Sequence, residues 1–165
     1  MTRISTKIGD IFSVKIGDKK KYFQYIANDL TQLNSDVVRG FKMQYSVDSK
    51  PNLSDVIKSD VDFYAHCVIK LGVKMGLWEK VGNDEEVGDT KDILFRSASD
   101  YARKAGEEPI KVSSNWYVWK INDKDFSYIG KLDGEYKKAH VGLVINPNGI
   151  IELIKGNRYP DNYPE

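Results

Sequence analysis

Residues 7–30, KIGDIFSVKIGDKKKYFQYIANDL, decide how this chain folds. Phe12, Val14 and Ile16 alternate with Ser13 and Lys15, the period of a strand with one face in a core and the other in water. After Gly17-Asp18 and three lysines, Phe23, Tyr25 and Ala27 alternate with Tyr22, Gln24 and Ile26. Gly17-Asp18 accepts the positive φ of a tight turn, so the two runs are expected to pair as an antiparallel hairpin. Lys19–Lys21 keep that turn soluble. The scaffold is legible from such runs, whereas no spacing in the chain dictates a reaction.

Downstream, Thr31–Asp36 is polar and reads as a loop. Asp36–Tyr45 reads as a third strand, with Val37, Phe41, Met43 and Tyr45 on one side and Val38, Lys42 and Gln44 on the other. Gly40 marks a bulge or a close backbone approach. Leu53–Ser59 has helical spacing after a cap at Asn52 or Ser54. Val61–Lys70 carries Phe63, Ala65, Cys67 and Ile69 on one face and Tyr64, His66 and Val68 on the other. Apolar residues on both faces predict a central strand covered on both sides. Gly72 and Gly76 bracket a connection, and Leu77–Val81 reads as a short strand ending at Gly82-Asn83.

In the second half, Ile93–Phe95 reads as a short edge strand, and Ser97–Pro109 as a polar segment with a helical turn at residues 100–105. Ile110–Ile121, with Trp116-Tyr117-Val118-Trp119 at its centre, reads as a long strand paired with Phe126–Leu132 across a polar turn. Glu135–His140 fits no single element. Val141–Ile145 suits a buried strand, and Ile150, Ile151, Leu153 and Ile154 suit a short helix stopped at Gly156. The sum is one α+β domain over residues 1–165, mostly β. The expected form is an antiparallel, strongly bent sheet or partly open barrel with one or two short helices, one of them C-terminal. Residues 157–165 form an irregular tail.

Composition narrows the class. The chain has 165 residues, 41% of them hydrophobic and 30% charged, with a net charge of +1, as in ordinary globular proteins. Such a balance supplies no global field to draw in nucleic acid or an anionic membrane. A single cysteine forbids an intramolecular disulfide, argues against a thiolate metal site and favours a reducing compartment. No apolar run reaches the length of a membrane span, and residues 1–6 lack that of a signal peptide. The expected location is the cytoplasm.

Few residues invite chemistry. His66 and Cys67 are adjacent, so on a strand they face opposite ways and cannot act as base and nucleophile. Cys67 reads as a buried thiol among apolar neighbours. His66 and His140 are the only histidines, and a hydrolase using either would need a carboxylate beside it in an open pocket. Trp116, Tyr117 and Trp119 read as core, the alternative being a stacking platform for sugars or single-stranded nucleic acid. Phosphate loops and nucleophile elbows are absent from the sequence. The densest charge is Asp84, Glu85, Glu86, Asp89 and Asp92, opposed locally by Lys91. It reads as a solvated loop or as a patch that docks on a basic protein surface, with Asp84, Glu85, Glu86 and Asp89 as the contact residues.

Lys7-Ile8-Gly9-Asp10-Ile11-Phe12, the hairpin running into Tyr22-Phe23-Gln24-Tyr25-Ile26, and Gly76-Leu77-Trp78-Glu79-Lys80-Val81-Gly82-Asn83 resemble the Imm26-type family of bacterial immunity proteins. Its members open with a G-D-x-F strand and carry a G-x-W…G segment later. The similarity spans residues 7–83. It implies a non-enzymatic protein that binds and neutralises a cognate toxin of a polymorphic toxin system, often a nuclease. No cofactor, metal, membrane or nucleic-acid partner is implied, and the expected state is a monomer or weak dimer. The resemblance carries no catalytic or binding residue across to this chain.

Overall fold

The hairpin forms as its sequence requires. In the computed structural model, which describes residues 3–100, 105–108, 110–157 and 164, β1 (Asp10–Ile16) and β2 (Lys19–Asp29) are antiparallel around Gly17-Asp18. Phe12 lies opposite Phe23 and their rings stack at 5.1 Å. Next come β3 (Ser35–Phe41), β4 (Tyr45–Ser46), α1 (Leu53–Lys58), β5 (Val61–Cys67), α2 (Ile69–Lys74) and β6 (Glu79–Asn83). The second half supplies β7 (Leu94–Ala98), β8 (Trp116–Lys120), β9 (Ser127–Gly130), a 3-10 helix (Gly134–Lys138), β10 (His140–Val141), β11 (Val144–Ile145) and α3 (Pro147–Ile154).

The mostly-β α+β class stands, with a C-terminal helix and no closed barrel. The strands form two mixed sheets. The larger runs β11-β5-β3-β2-β1-β6, with β4 paired to the start of β2, and the smaller runs β10-β7-β8-β9. Both faces of the larger sheet are covered. One face buries Phe12, Val14, Phe23, Val38, Ala65 and Cys67 under Ile69, Trp78 and the α3 residues Ile150, Leu153 and Ile154. The other face is divided. At one end Ile11, Tyr22 and Phe41 pack on Val56 and Ile57 of α1. At the other, Ile26 and Val37 pack on Ile93, Phe95 and Trp119 of the smaller sheet.

Several boundaries differ from the sequence expectation. The third strand stops at Phe41, where the Lys42 N–H donates to Asp60 O, and Tyr45 belongs to a separate strand, leaving Met43 exposed. β5 is central as expected but ends at Cys67. The Asp36 carboxylate accepts the Ile69 N–H at 3.0 Å, and the chain turns into α2 instead of extending to Lys70. The expected Gly72–Gly76 connection is therefore mostly helix. Gly72 is needed there because a Cβ would stand 1.9 Å from the Trp78 ring.

Residues 93–95 do not form an edge: β7 lies between β10 and β8. The 110–121 strand contracts to Trp116–Lys120, and Val141–Ile145 splits at Gly142, whose N–H donates to Arg96 O. That split sends β10 to the smaller sheet and β11 to the larger, each through a two-residue parallel pairing. The helical turn expected at 100–105 falls largely on residues outside the described set, as does most of the 157–165 tail.

Candidate functional site

Register fixes which loops share an end of the larger sheet. β1 begins, β2 ends, β3 begins, β5 ends and β6 ends on the same side. The acidic segment leaves β6 there and crosses the sheet's divided face. Between the two apolar clusters of that face lie Gln24 and Arg39, opposite each other on β2 and β3 and both buried. Arg39 Nε donates to Gln24 Oε1 at 2.9 Å. Gln24 Nε2 then donates to the carbonyls of Asp84 at 2.9 Å and Glu86 at 3.2 Å, and Arg39 Nη2 donates to Glu86 O at 3.0 Å. Buried polar side chains need partners, so a loop covering this pair must offer backbone oxygens. The acidic loop does so.

The start of the loop is clamped as well. The Asp84 N–H donates to Gly9 O at 3.0 Å, and Gly9, with φ +96°, leaves no room for a Cβ, which would meet Asp84 O at 2.6 Å. Asp10 is fully buried and accepts from the Lys7 N–H, Asn83 Nδ2 and Lys80 Nζ at 2.8–2.9 Å. Burial alone would raise its pKa, but these donors outweigh it and hold the carboxyl below the usual range.

The four carboxylates singled out in the sequence do not act alike. Asp84 is half-buried and its Oδ1 accepts the Glu86 N–H; Glu86 Oε1 accepts the Gly88 N–H, and Asp89 Oδ1 the Lys91 N–H, each at 2.9 Å. Each therefore spends one oxygen shaping the loop. Glu85, Glu86 and Asp89 remain exposed. Beneath them burial lowers the pKa of Arg39, opposed by Tyr64, Glu86 and Asp84, and the guanidinium remains charged. Arg39 and Gln24 are the residues that sequence reasoning missed. A polar pair in a buried strand was the available signal, but it could be read only once Gln24 was known to face Arg39.

Beyond Asp89 the loop borders a recess of about 440 Å³ lined by Tyr64, Asp89, Asp92, Glu135 and His140. Glu135 thus joins the acidic segment from a part of the chain 43 residues past Asp92, which spacing could not disclose. His140 packs edge-on against Tyr64 at 5.0 Å. Burial, followed by nearby Arg96, lowers its pKa, and no described hydrogen bond joins it to a carboxylate.

His66 does meet a carboxylate, but inside the core. Its Nε2 is 2.9 Å from Asp29 Oδ2, and both side chains are inaccessible to solvent. The same carboxylate accepts from Trp119 Nε1, the Asn122 N–H, the Thr31 N–H and Thr31 Oγ1. Burial would raise the Asp29 pKa; His66, Thr31 and Asn122 together lower it. Burial also lowers the pKa of His66, against the pull of Asp29, so the pair is a neutral imidazole donating to a carboxylate. This node joins the two sheets and has no substrate access.

The stacking platform is overturned: Trp116 and Trp119 are each 1% exposed, and Trp119 stacks on Phe126 at 4.0 Å. Cys67 is buried, as expected, and burial pushes its thiol pKa far up. Among the described residues no group of three His, Cys, Asp or Glu is placed to hold a metal ion, and no helix is long and apolar enough to cross a membrane.

These features bear on the comparison with known proteins. Residues 7–106, more than half of the chain, match the model of immunity protein 26. The chain belongs to the Imm26 family. The match covers β1 to β7 and the acidic loop between them, so Gly9, Asp10, Gln24, Arg39 and Trp78 all lie within it. No curated protein and no solved structure matches the chain. In this chain the Gly9-Asp10 pair at the start of β1 is the clamp that starts the acidic loop, and Trp78 fills the core on the opposite face of the sheet.

Proposed function

We propose that this Imm26 protein is a non-enzymatic, cytoplasmic immunity protein that binds a cognate toxin of a polymorphic toxin system and neutralises it by direct contact. Glu85, Glu86 and Asp89 meet a basic surface of the toxin, and Asp84 shapes the loop that presents them. Family membership supports the immunity role. One observation carries the choice of surface: the acidic loop is fixed by its backbone to the buried Gln24–Arg39 pair, which frees its exposed carboxylates for a partner. A loop already held in one conformation gives up little entropy on binding. Carboxylates on such a loop accelerate encounter with a basic partner and select it by charge. A nuclease, whose surface is built to attract phosphates, is the toxin class that fits this charge best.

The test uses the purified toxin domain encoded beside this gene. Glu85→Lys/Glu86→Lys should weaken the complex at least about tenfold and reduce its dependence on salt. Its melting temperature should fall slightly because the Gly88 N–H loses the Glu86 carboxylate, whereas Glu85→Lys alone should weaken the complex with the melting temperature unchanged. Unchanged affinity and unchanged salt dependence would refute the assignment of this surface.

A further inference from the structure

The turn between β2 and β3 is built in a way that folding alone does not require. Leu33 is 81% exposed and Leu30 69%, on a connection of only five residues. Leu33 and Asn34 both sit in the left-handed region, at φ 56° and 51°. Asn tolerates that region, whereas Leu is strained there. A bulky apolar side chain is thus held in water on a backbone it disfavours. Strain of this kind survives only where the surroundings over-determine it, and it concentrates at ligand-contacting positions.

The surroundings do over-determine it. Asp29 Oδ1 accepts from the Thr31 N–H and hydroxyl, Asn28 Nδ2 donates to Ser35 O, Ser35 Oγ donates to Gln32 O, and Gln32 Nε2 reaches across to Gly142 O. The Leu30 N–H donates to Asn122 Oδ1 at 2.8 Å. The tip carries no charged residue from Leu30 to Asn34.

Its position connects it to the acidic segment. Both lie at the end of the larger sheet where β1 and β3 begin and β2 and β6 end. A chain of contacts links them: Asp92 Oδ1 pairs with Lys120 Nζ at 3.2 Å, the Lys120 N–H donates to Asp123 Oδ2, and Asn122 between them holds Leu30. Energetically dominant contacts in protein interfaces are buried, preorganised and ringed by polar residues. The apolar tip is preorganised in this way and is joined through Asn122 and Lys120 to Asp92, the last carboxylate of the acidic segment.

We infer that the Leu30–Asn34 turn is the apolar anchor of the toxin-binding face, with Leu33 entering an uncharged recess of the toxin beside its basic surface. The inference rests on the immunity reading above. A second copy of this chain is a poor occupant, because it would bring an identical convex tip and its own acidic loop to the contact. The partner that fits has an apolar recess and positive charge next to it.

Binding of the adjacent-gene toxin domain should be measured for wild type, Leu33→Gly, Leu30→Ser/Leu33→Ser and Glu85→Lys/Glu86→Lys, each with its melting temperature. Glycine accepts φ 56°, so Leu33→Gly should melt at or above the wild-type temperature while losing at least about tenfold in affinity. Its salt dependence should stay that of wild type, unlike that of the lysine variant. Wild-type affinity within about twofold for both tip variants, beside weakened binding by the lysine variant, would overturn the anchor and leave the acidic surface standing. Failure of the wild-type protein to bind would overturn both.

Discussion

Replacing Asp29 with Asn is the sharpest test of how the two sheets are held together. The Asp29 carboxylate is inaccessible and accepts five hydrogen bonds, from His66, Trp119, Asn122 and twice from Thr31, at 2.8–3.3 Å. Asn has the same shape but turns one acceptor into two donors. If its amide nitrogen takes the place of Oδ2, it faces the Trp119 N–H and the His66 Nε2. The imidazole could move its proton to Nδ1, but that atom is buried and lacks a hydrogen-bond partner. If the nitrogen takes the place of Oδ1, it faces the backbone N–H groups of Asn122 and Thr31.

Either orientation leaves at least one buried donor without an acceptor, at about 1–3 kcal/mol, and weakens bonds that a charged acceptor makes worth about 1.5–3 kcal/mol each. The sum is a loss of about 3–5 kcal/mol, a large share of the about 5–15 kcal/mol that holds a domain folded. Urea denaturation followed by tryptophan fluorescence would measure it. A loss below about 1 kcal/mol would show that Asp29 is not the joint described here.

Further outcomes follow from the same structure. The pKa values of Asp29 and His66 both lie below their unfolded values, so the unfolded chain binds more protons in each window and stability rises with pH there. Stability should therefore fall as pH drops below about 6.5, where the unfolded histidine takes up its proton, and fall further below about 4 as Asp29 is reached; a flat profile from pH 7 to 4 would contradict it. Gly72→Ala places a methyl group 1.9 Å from the Trp78 ring and should destabilise the fold by about 2 kcal/mol or more, read as a lower urea midpoint. Arg39→Met removes the donor to Glu86 O and the bond to Gln24, and should speed amide exchange at residues 84–88 relative to β2. The buried Cys67 thiol should resist a thiol reagent in the native protein and react once the chain is unfolded.

The sequence made the hairpin legible because a two-residue apolar period and a Gly-Asp turn are local signals. It made α1 legible from helical spacing after a cap at Asn52, and α3 from the spacing of Ile150, Ile151, Leu153 and Ile154 before Gly156, whereas the cap at Asn146 emerged only in the structure. Trp116 and Trp119 were readable as core from apolar neighbours on both faces of β8. What escaped was long-range. β10 and β11 are two residues each and pair in parallel with strands from different sheets, so no periodicity announces them. α2 escaped because Gly72 and Gly76 look like breakers, whereas Gly72 serves the Trp78 ring packed on it. For the candidate site, the acidic residues were visible as a charge cluster, but their support from Gln24 and Arg39 depends on cross-strand register. Leu33 passed as a residue of the polar 31–36 loop and Leu30 as the end of the hairpin stretch, because neither their exposure nor the left-handed backbone at Leu33 follows from residue type.

The claim on which the rest depends is that this Imm26 protein neutralises its toxin by occupying it. The decisive measurement titrates the adjacent-gene toxin domain with the protein while following toxin activity and complex formation together. Inhibition should rise linearly, stop at a fixed molar ratio, and track the amount of complex formed. Full inhibition by a small fraction of an equivalent, or inhibition without a complex, would mean that the protein acts by turnover and would contradict the account.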